Sequence, residues 1–260
     1  LFNQKKYDRA LEKSLDGTQL FSSDPSFWMI KGDTLYATGR FSEGAEALAK
    51  AISLDPTDKR LWWSRGMALV SDGRYEEAIV SYDEALKLDP QDFNILVSKG
   101  VALAMMDKHS EAVQCFDRAI SIDEDNKFAQ VQRGRSLAKM GMHAEAVSSY
   151  NRALALGHKD LEVLEAKKES LIFLGRTEEV ISTCDQILKL DPKNKAAAID
   201  KATSLQTVGR VDEALRTYNK VLDGNPRDAL VLEKKKEALM LKGDYAGVID
   251  ACNLLLQIEP

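Results

Sequence analysis

Three histidines, three cysteines and several neighbouring acids are the residues of this chain whose types could do chemistry. An imidazole beside a thiol would make a nucleophile and its base. Cys and His at close spacing would hold zinc, and two carboxylates could share acid–base work. The spacing supports none of these. Cys115, Cys184 and Cys252 are far apart in the chain with no C-x-x-C, as expected of reduced thiols filling small apolar sites. Such usage fits a reducing, cytoplasmic compartment. His109 and His143 are separated by an interval that recurs throughout the chain. No glycine-rich phosphate loop and no G-x-S-x-G elbow is present. Acid pairs such as Glu76-Glu77 and Glu178-Glu179 fall where helices would begin, at the favourable end of the dipole. The chain is therefore expected to be no enzyme, with no catalytic residue, no metal and no cofactor.

The elements that position these residues follow the same interval. Pro56, Pro90, Pro192, Pro226 and Pro260 are spaced by 34, 102, 34 and 34, all multiples of one period. Gly39, Gly73, Gly141, Gly175, Gly209 and Gly243 form one glycine column, and Gly32, Gly66, Gly100 and Gly134 a second. Counting from Pro25, repeats begin at 25, 59, 93, 127, 161, 195 and 229. Residues 1–24 are the trailing part of an earlier repeat and the last repeat stops just short of its end, so the chain is expected to be cut from something longer. Within 59–90, Leu61, Trp62 and Leu69 recur at helical spacing, Asp72-Gly73-Arg74 breaks the run, and Ala78, Tyr82 and Ala85 carry a second helix to Asp89-Pro90. One such pair cannot bury its own apolar face, so neighbours must stack into a continuous core. His109 and His143 then share repeat position 17 with Phe41, Tyr75 and Tyr245, a packing position at the start of the second helix, whereas His158 occupies the proline column in a turn.

Composition closes other doors. At 44% hydrophobic and 30% charged, the chain is too apolar for a disordered polymer and too charged to span a membrane. A net charge of −5 makes nucleic acid and anionic membranes poor partners.

The spacing of Trp62, Gly66, Tyr75, Ala78, Tyr82, Ala85 and Pro90 resembles the tetratricopeptide (TPR) repeat, over essentially all 260 residues. The resemblance implies an all-α solenoid of helix–turn–helix units in a right-handed superhelix, a single domain over 1–260. Its seven repeats are 25–58, 59–92, 93–126, 127–160, 161–194, 195–228 and 229–260, after the partial repeat 1–24. Leu35, Leu69, Leu103, Leu137, Leu171, Leu205 and Leu239 form an unbroken core column. Departures cluster late: Lys168, Ala202 and Lys236 replace the first-helix glycine, and Val180, Ile187, Val248 and Leu255 replace alanines. Helix packing is expected to change after residue 160. Asp107 stands where the turn column has glycine.

The resemblance also implies where a partner binds, along the face of the first helices at repeat positions 2, 5, 9, 12 and 13. Those positions supply Met29, Trp63, Val97 and Val131, then Tyr36, Met67, Val101, Met105 and Phe128, with Asp33, Arg60, Asn94, Arg135 and Lys139 interspersed. Apolar anchors among a few polar groups suit a peptide or partner segment. The matched Lys and Asn residues of the carboxylate-clamp members are missing, so an acidic chaperone tail is not the expected ligand. The fifth repeat instead offers Glu162, Glu165 and Glu169 with Ile172 and Phe173 beyond, which suits basic residues in a ligand. A basic column at position 7 (Lys31, Arg65, Lys99, Arg133, Lys167, Lys201 and Lys235) is either paired to acidic turn residues such as Asp55 and Asp89, or a ladder for an acidic partner. Three functions stay open: a non-catalytic protein-binding scaffold, the regulatory or substrate-presenting arm of a larger enzyme, and a module that self-associates through uncapped ends.

Overall fold

Each first helix begins at an Asp or Asn whose side chain accepts a backbone N–H that the helix leaves unpaired. Asp24, Asp58, Asp92, Asn126, Asp160, Asn194 and Asp228 all do so, one per repeat. At the start of the last second helix Asp244 accepts from the Gly247 N–H, whereas those that begin at Phe41, Tyr75, His109, His143, Thr177 and Val211 have no such side-chain cap. There an arginine just before the helix pairs with a glutamate in its first turn, as in Arg40–Glu43, Arg74–Glu77, Arg176–Glu179 and Arg210–Glu213. Between the two helices the chain reverses through a left-handed residue. Gly73 sits there at φ 79°, where a β-carbon would clash with its own carbonyl, and Asp107 holds the same conformation at φ 57°.

The computed structural model describes residues 2–157 and 160–258, with side chains from Arg9 onward. His158 and Pro260 lie outside the described residues. The partial repeat contributes α1 (Phe2–Leu20). The next four repeats contribute α2 (Pro25–Ala37), α3 (Phe41–Leu54), α4 (Lys59–Ser71), α5 (Tyr75–Leu88), α6 (Phe93–Met105), α7 (His109–Ile122), α8 (Lys127–Lys139) and α9 (His143–Ala155). The last three contribute α10 (Leu161–Phe173), α11 (Thr177–Leu190), α12 (Lys195–Thr207), α13 (Val211–Gly224), α14 (Ala229–Lys242) and α15 (Tyr245–Ile258). Among the described residues there is no strand, and no helix is long and apolar enough to cross a membrane.

The chain divides into two compact units, Leu1–Met140 and Gly141–Pro260. In the first, Leu69, Tyr82, Leu96 and Phe116 form the centre of a core that runs through successive repeats. In the second, Leu205, Tyr218, Val231 and Leu232 do the same. Small residues let paired helices approach: Ala78, Ala85, Ala112 and Ala119 are fully buried. The glycine column at position 8 has a size partner at position 24. A β-carbon on Gly100 would come within 2.7 Å of the Phe116 ring, and one on Gly32 within 2.5 Å of Leu48. Where position 8 becomes Lys168 or Lys236, position 24 shrinks to Cys184 or Cys252. Volume is conserved across these two pairs, which explains Lys168 and Lys236, whereas Ala202 keeps Tyr218 opposite. Lys168 is buried, its ammonium paired with Asp200 at 2.5 Å.

The basic column at position 7 is structural where it can be. Lys99 pairs with Asp83, Arg133 with Asp117 and Lys201 with Asp185, each at 2.5 Å. The partners are therefore second-helix acids of the preceding repeat at position 25, a correction to the turn residues Asp55 and Asp89. Asp89 is instead taken by Lys59 at 2.6 Å. Where position 25 is Ala49, Arg65 turns to Ser81 of its own repeat at 2.7 Å. Lys31 lies over the Trp28 ring, 5.0 Å from its centre.

Candidate functional site

In the first unit α2, α4, α6 and α8 lie side by side, each touching the next first helix in the series. Their shared face holds a hollow of about 200 Å³ lined by Tyr36, Met67, Val97, Val101 and Phe128, one or two residues from each of four repeats. Helical periodicity places these positions on one stripe, and stacking of repeats aligns the stripes. Val70 and Ser71 complete the wall, and Tyr82 and Ser98 lie at its base.

Ser98 is the polar centre of this site. Its hydroxyl donates to the Asn94 carbonyl at 2.8 Å and accepts from Trp63 Nε1 at 3.1 Å. The Tyr82 phenol lines the same hollow, and burial pushes its pKa well above the ordinary value. Asp33 on α2 does not line the hollow; it is exposed in area yet crowded by surrounding protein. That crowding raises its pKa, with a hydrogen bond from Ser64 opposing. The serine column at position 6 was legible in the sequence as Ser64 and Ser98, but its role depends on a contact between neighbouring repeats.

The other expected groove residues divide. Phe128, 53% exposed, and Met105, 58% exposed, present large apolar surface to solvent. Asn94 and Lys139 are exposed, and Arg135 is half-buried. Two assignments need correction. Val131, 5% exposed, faces the interior, whereas Val97, 8% exposed, does line the hollow. Trp63 is no free anchor: it is half-buried against the core with its indole N–H already bonded to Ser98. Position 5 lies at the edge of the stripe, and Trp63 there leans onto Ser98 of the next first helix rather than into solvent. Trp62 is likewise half-buried against the core, donating to the Pro56 carbonyl at 2.9 Å. Met29 is half-buried against Ala51 and Leu61. Arg60 turns its guanidinium back on the capping Asp58 at 2.6 Å, away from the hollow.

In the second unit the first helices carry a different surface. Phe173, 76% exposed, stacks on His143 with ring centres 4.5 Å apart. Glu162 and Glu169 are exposed beside Ile172, whereas Glu165 accepts from Asn194 Nδ2 at 3.0 Å.

Among the described residues no reacting pair emerges from the remaining candidates. His109 and His143 are half-buried at the starts of α7 and α9 with Nδ1 unpartnered. Burial raises the thiol pKa of Cys115, and that of Cys184 to about 12, which keeps both protonated. Among the described residues no three His, Cys, Asp or Glu side chains come together as a metal site would require.

A family model described as tetratricopeptide repeat matches residues 1–59 and, in a second placement, 31–93. The crystal structure of MamA protein superposes with a TM-score of 0.61 at 21% identity, over 65% of this chain and 92% of that one. This chain belongs to the tetratricopeptide repeat family. A second model, described as bacterial transcriptional activator domain, matches residues 88–231 of the TPR array, more than half of the chain, so that segment belongs to this domain family as well. MamA 41-end from Desulfovibrio magneticus RS-1 gives a TM-score of 0.62 at 15% identity, covering 66% of this TPR chain and 97% of its own. The structure of Naa15/Naa10 bound to HypK-THB gives 0.59 at 20% identity, covering 92% of this chain and 37% of that one. At such identities the likeness is one of fold. No curated protein sequence matches. The TPR fold is that of a scaffold for protein–protein contacts, built from repeats whose outward faces are free to vary.

Proposed function

We propose that this chain is a non-catalytic scaffold whose first-helix face, in the unit 1–140, binds an extended segment of a partner protein through apolar side chains. The observation that carries this reading is the hollow formed by Tyr36, Met67, Val101 and Phe128, with Met105 and Phe128 exposed on the same helices. A few polar groups on these first helices, Ser98 and Asp33 among them, would fix the direction of the bound segment. The seven repeats run in one unbroken register through residue 141, which supports treating them as a single array. Buried, protonated thiols support a reducing compartment such as the cytoplasm. Selection from a displayed peptide library tests the reading. Recovered sequences should share apolar residues at fixed spacing and lose affinity for Met67→Glu and Phe128→Ala. Equal binding to wild type and both variants would place the binding face elsewhere.

A second reading, a regulatory arm within a larger protein, is favoured by the transcriptional activator domain match over 88–231. Direct DNA contact by this chain is opposed by its charge of −5 and by the acids that neutralise Lys99, Arg133 and Lys201. A mobility-shift assay at low salt should show no shift of duplex DNA. Self-association is supported by α15, whose Tyr245, Ile249 and Leu256 are exposed on one stripe, while Val211, Leu215 and Leu222 of the preceding repeat are packed. Light scattering across a concentration series checks it.

A further inference from the structure

Position 30, in the last turn of the second helix, is Leu54, Leu88, Ile122, Leu156 or Leu190 in five repeats, and Gly224 in the sixth. Nothing lies within 4 Å of where a β-carbon on Gly224 would sit. The missing side chain leaves space in a cleft of about 810 Å³ among α11, α12, α13 and the turn before α14. The floor is apolar, with Leu188, Ala198 and Val221, and the rim is cationic, with Lys193, Lys195, Lys201 and Lys220.

A second departure sits beside the first. Position 31 is Asp55, Asp89, Asp123 or Asp191 in other repeats but Asn225 here, so the rim loses an acid where the floor loses a leucine. The one acid lining the cleft, Asp228, is buried, caps α14 and is paired to Lys195. Lys201 pairs with Asp185, while Lys193 and Lys220 make no ion pair among the described residues. The surface hollow beside α5 is different: Asp83 and Glu84 there offset Lys87, Lys99 and Arg118.

We infer that this cleft is a second binding site, taking an acidic peptide segment whose carboxylates meet Lys193 and Lys220 while an apolar side chain fills the space at Gly224. Lysines set around a long cleft suit separate carboxylates. A compact phosphate is held best by a guanidinium fork, and no arginine lines this site. The cleft belongs to the unit 141–260 and does not depend on the first-helix reading above.

The test is fluorescence anisotropy of a labelled short peptide of alternating Glu and Leu, titrated with the full chain. Saturable binding is expected, weaker at high salt and reduced about tenfold or more by Lys193→Glu with Lys220→Glu. Gly224→Leu, which restores the residue of the sister repeats on helical backbone with open space, should reduce binding as strongly while the circular dichroism spectrum is kept. Lys87→Glu, on α5 in the other unit, should leave binding unchanged. A Glu-Ser peptide should bind more weakly, because the apolar floor then has no occupant. The inference is overturned if the Glu-Leu peptide does not bind, if it binds wild type and both cleft variants alike, or if only a phosphoserine peptide or inorganic phosphate binds.

Discussion

A β-carbon added to Gly66 would lie within 2.7 Å of Cδ1 and Cζ of Tyr82, so the tyrosine ring occupies the space that any larger residue at position 66 would need. Gly66→Ala should therefore destabilise by about 1–3 kcal/mol through overpacking, despite the better helix propensity of alanine. Combining it with Tyr82→Cys, the small partner found opposite Lys168 at Cys184, should give a coupling of about 0.5–3 kcal/mol rather than additive losses. Urea unfolding, with hydrogen exchange in α4 and α5 as a local readout, measures both. Additivity would show that the ring can move aside.

Trp62 and Trp63 are adjacent, both half-buried, and each uses its indole N–H inside the fold, on Pro56 and Ser98 respectively. Truncating either to alanine should cost roughly 2–3 kcal/mol, less than the ~3–5 kcal/mol of a fully buried tryptophan. The two losses should be similar by urea denaturation. A near-neutral Trp63→Ala would instead return Trp63 to the surface.

Asp107 occupies a left-handed position that six sister repeats give to glycine. Asp107→Gly should stabilise by roughly 0.5–1 kcal/mol, the relief of about 1–2 kcal/mol of backbone strain less the added freedom of the unfolded chain. The reverse change, Gly73→Ala, should destabilise. Thermal melts of the two variants compare the column directly.

Stability should fall at both ends of the pH scale. Hydrogen bonds from arginine hold Glu43, Glu77 and Glu213 below the usual carboxylate range. Their contribution is present above the unfolded value of about 4.3 and is lost as pH drops through the folded value. Cys184 shifts the other way, to about 12 by burial, so the unfolded chain loses that proton first and stability declines as pH rises above about 8.5. Alkylation of Cys184 in the folded protein should be slow at neutral pH, and the half-buried Cys252 should react before it. Mass spectrometry of a labelling time course decides the order.

Asp83→Asn removes the partner of Lys99 from a pair whose side chains are 44% and 21% exposed. The cost should stay under about 1 kcal/mol and shrink with added salt. Peptide binding by the first-helix face should not change. A loss of binding would give the position-7 column a recognition role.

The sequence alone determined that the chain repeats as pairs of helices, because a fixed repeat period, left-handed glycines and turn prolines are local demands of the backbone. It also placed Tyr36, Met67, Val101 and Phe128 on one stripe, since helical periodicity assigns faces without knowledge of neighbours. The capping column from Asp24 to Asp228 was equally local and could have been found in the sequence by the same alignment of repeats. What only the tertiary structure decided is which side of that stripe each residue serves. Val131 and Trp63 belong to the stripe by angle, but Val131 is buried and Trp63 bonds Ser98 of the next first helix, and how much of such a residue is covered depends on how closely its neighbours approach. The partner of Lys99 was hidden for the same reason, because Asp83 lies on the second helix of the preceding repeat and no local rule pairs them. The volume exchange between position 8 and position 24 is written in the sequence as two changes. It becomes one fact only when the two helices touch.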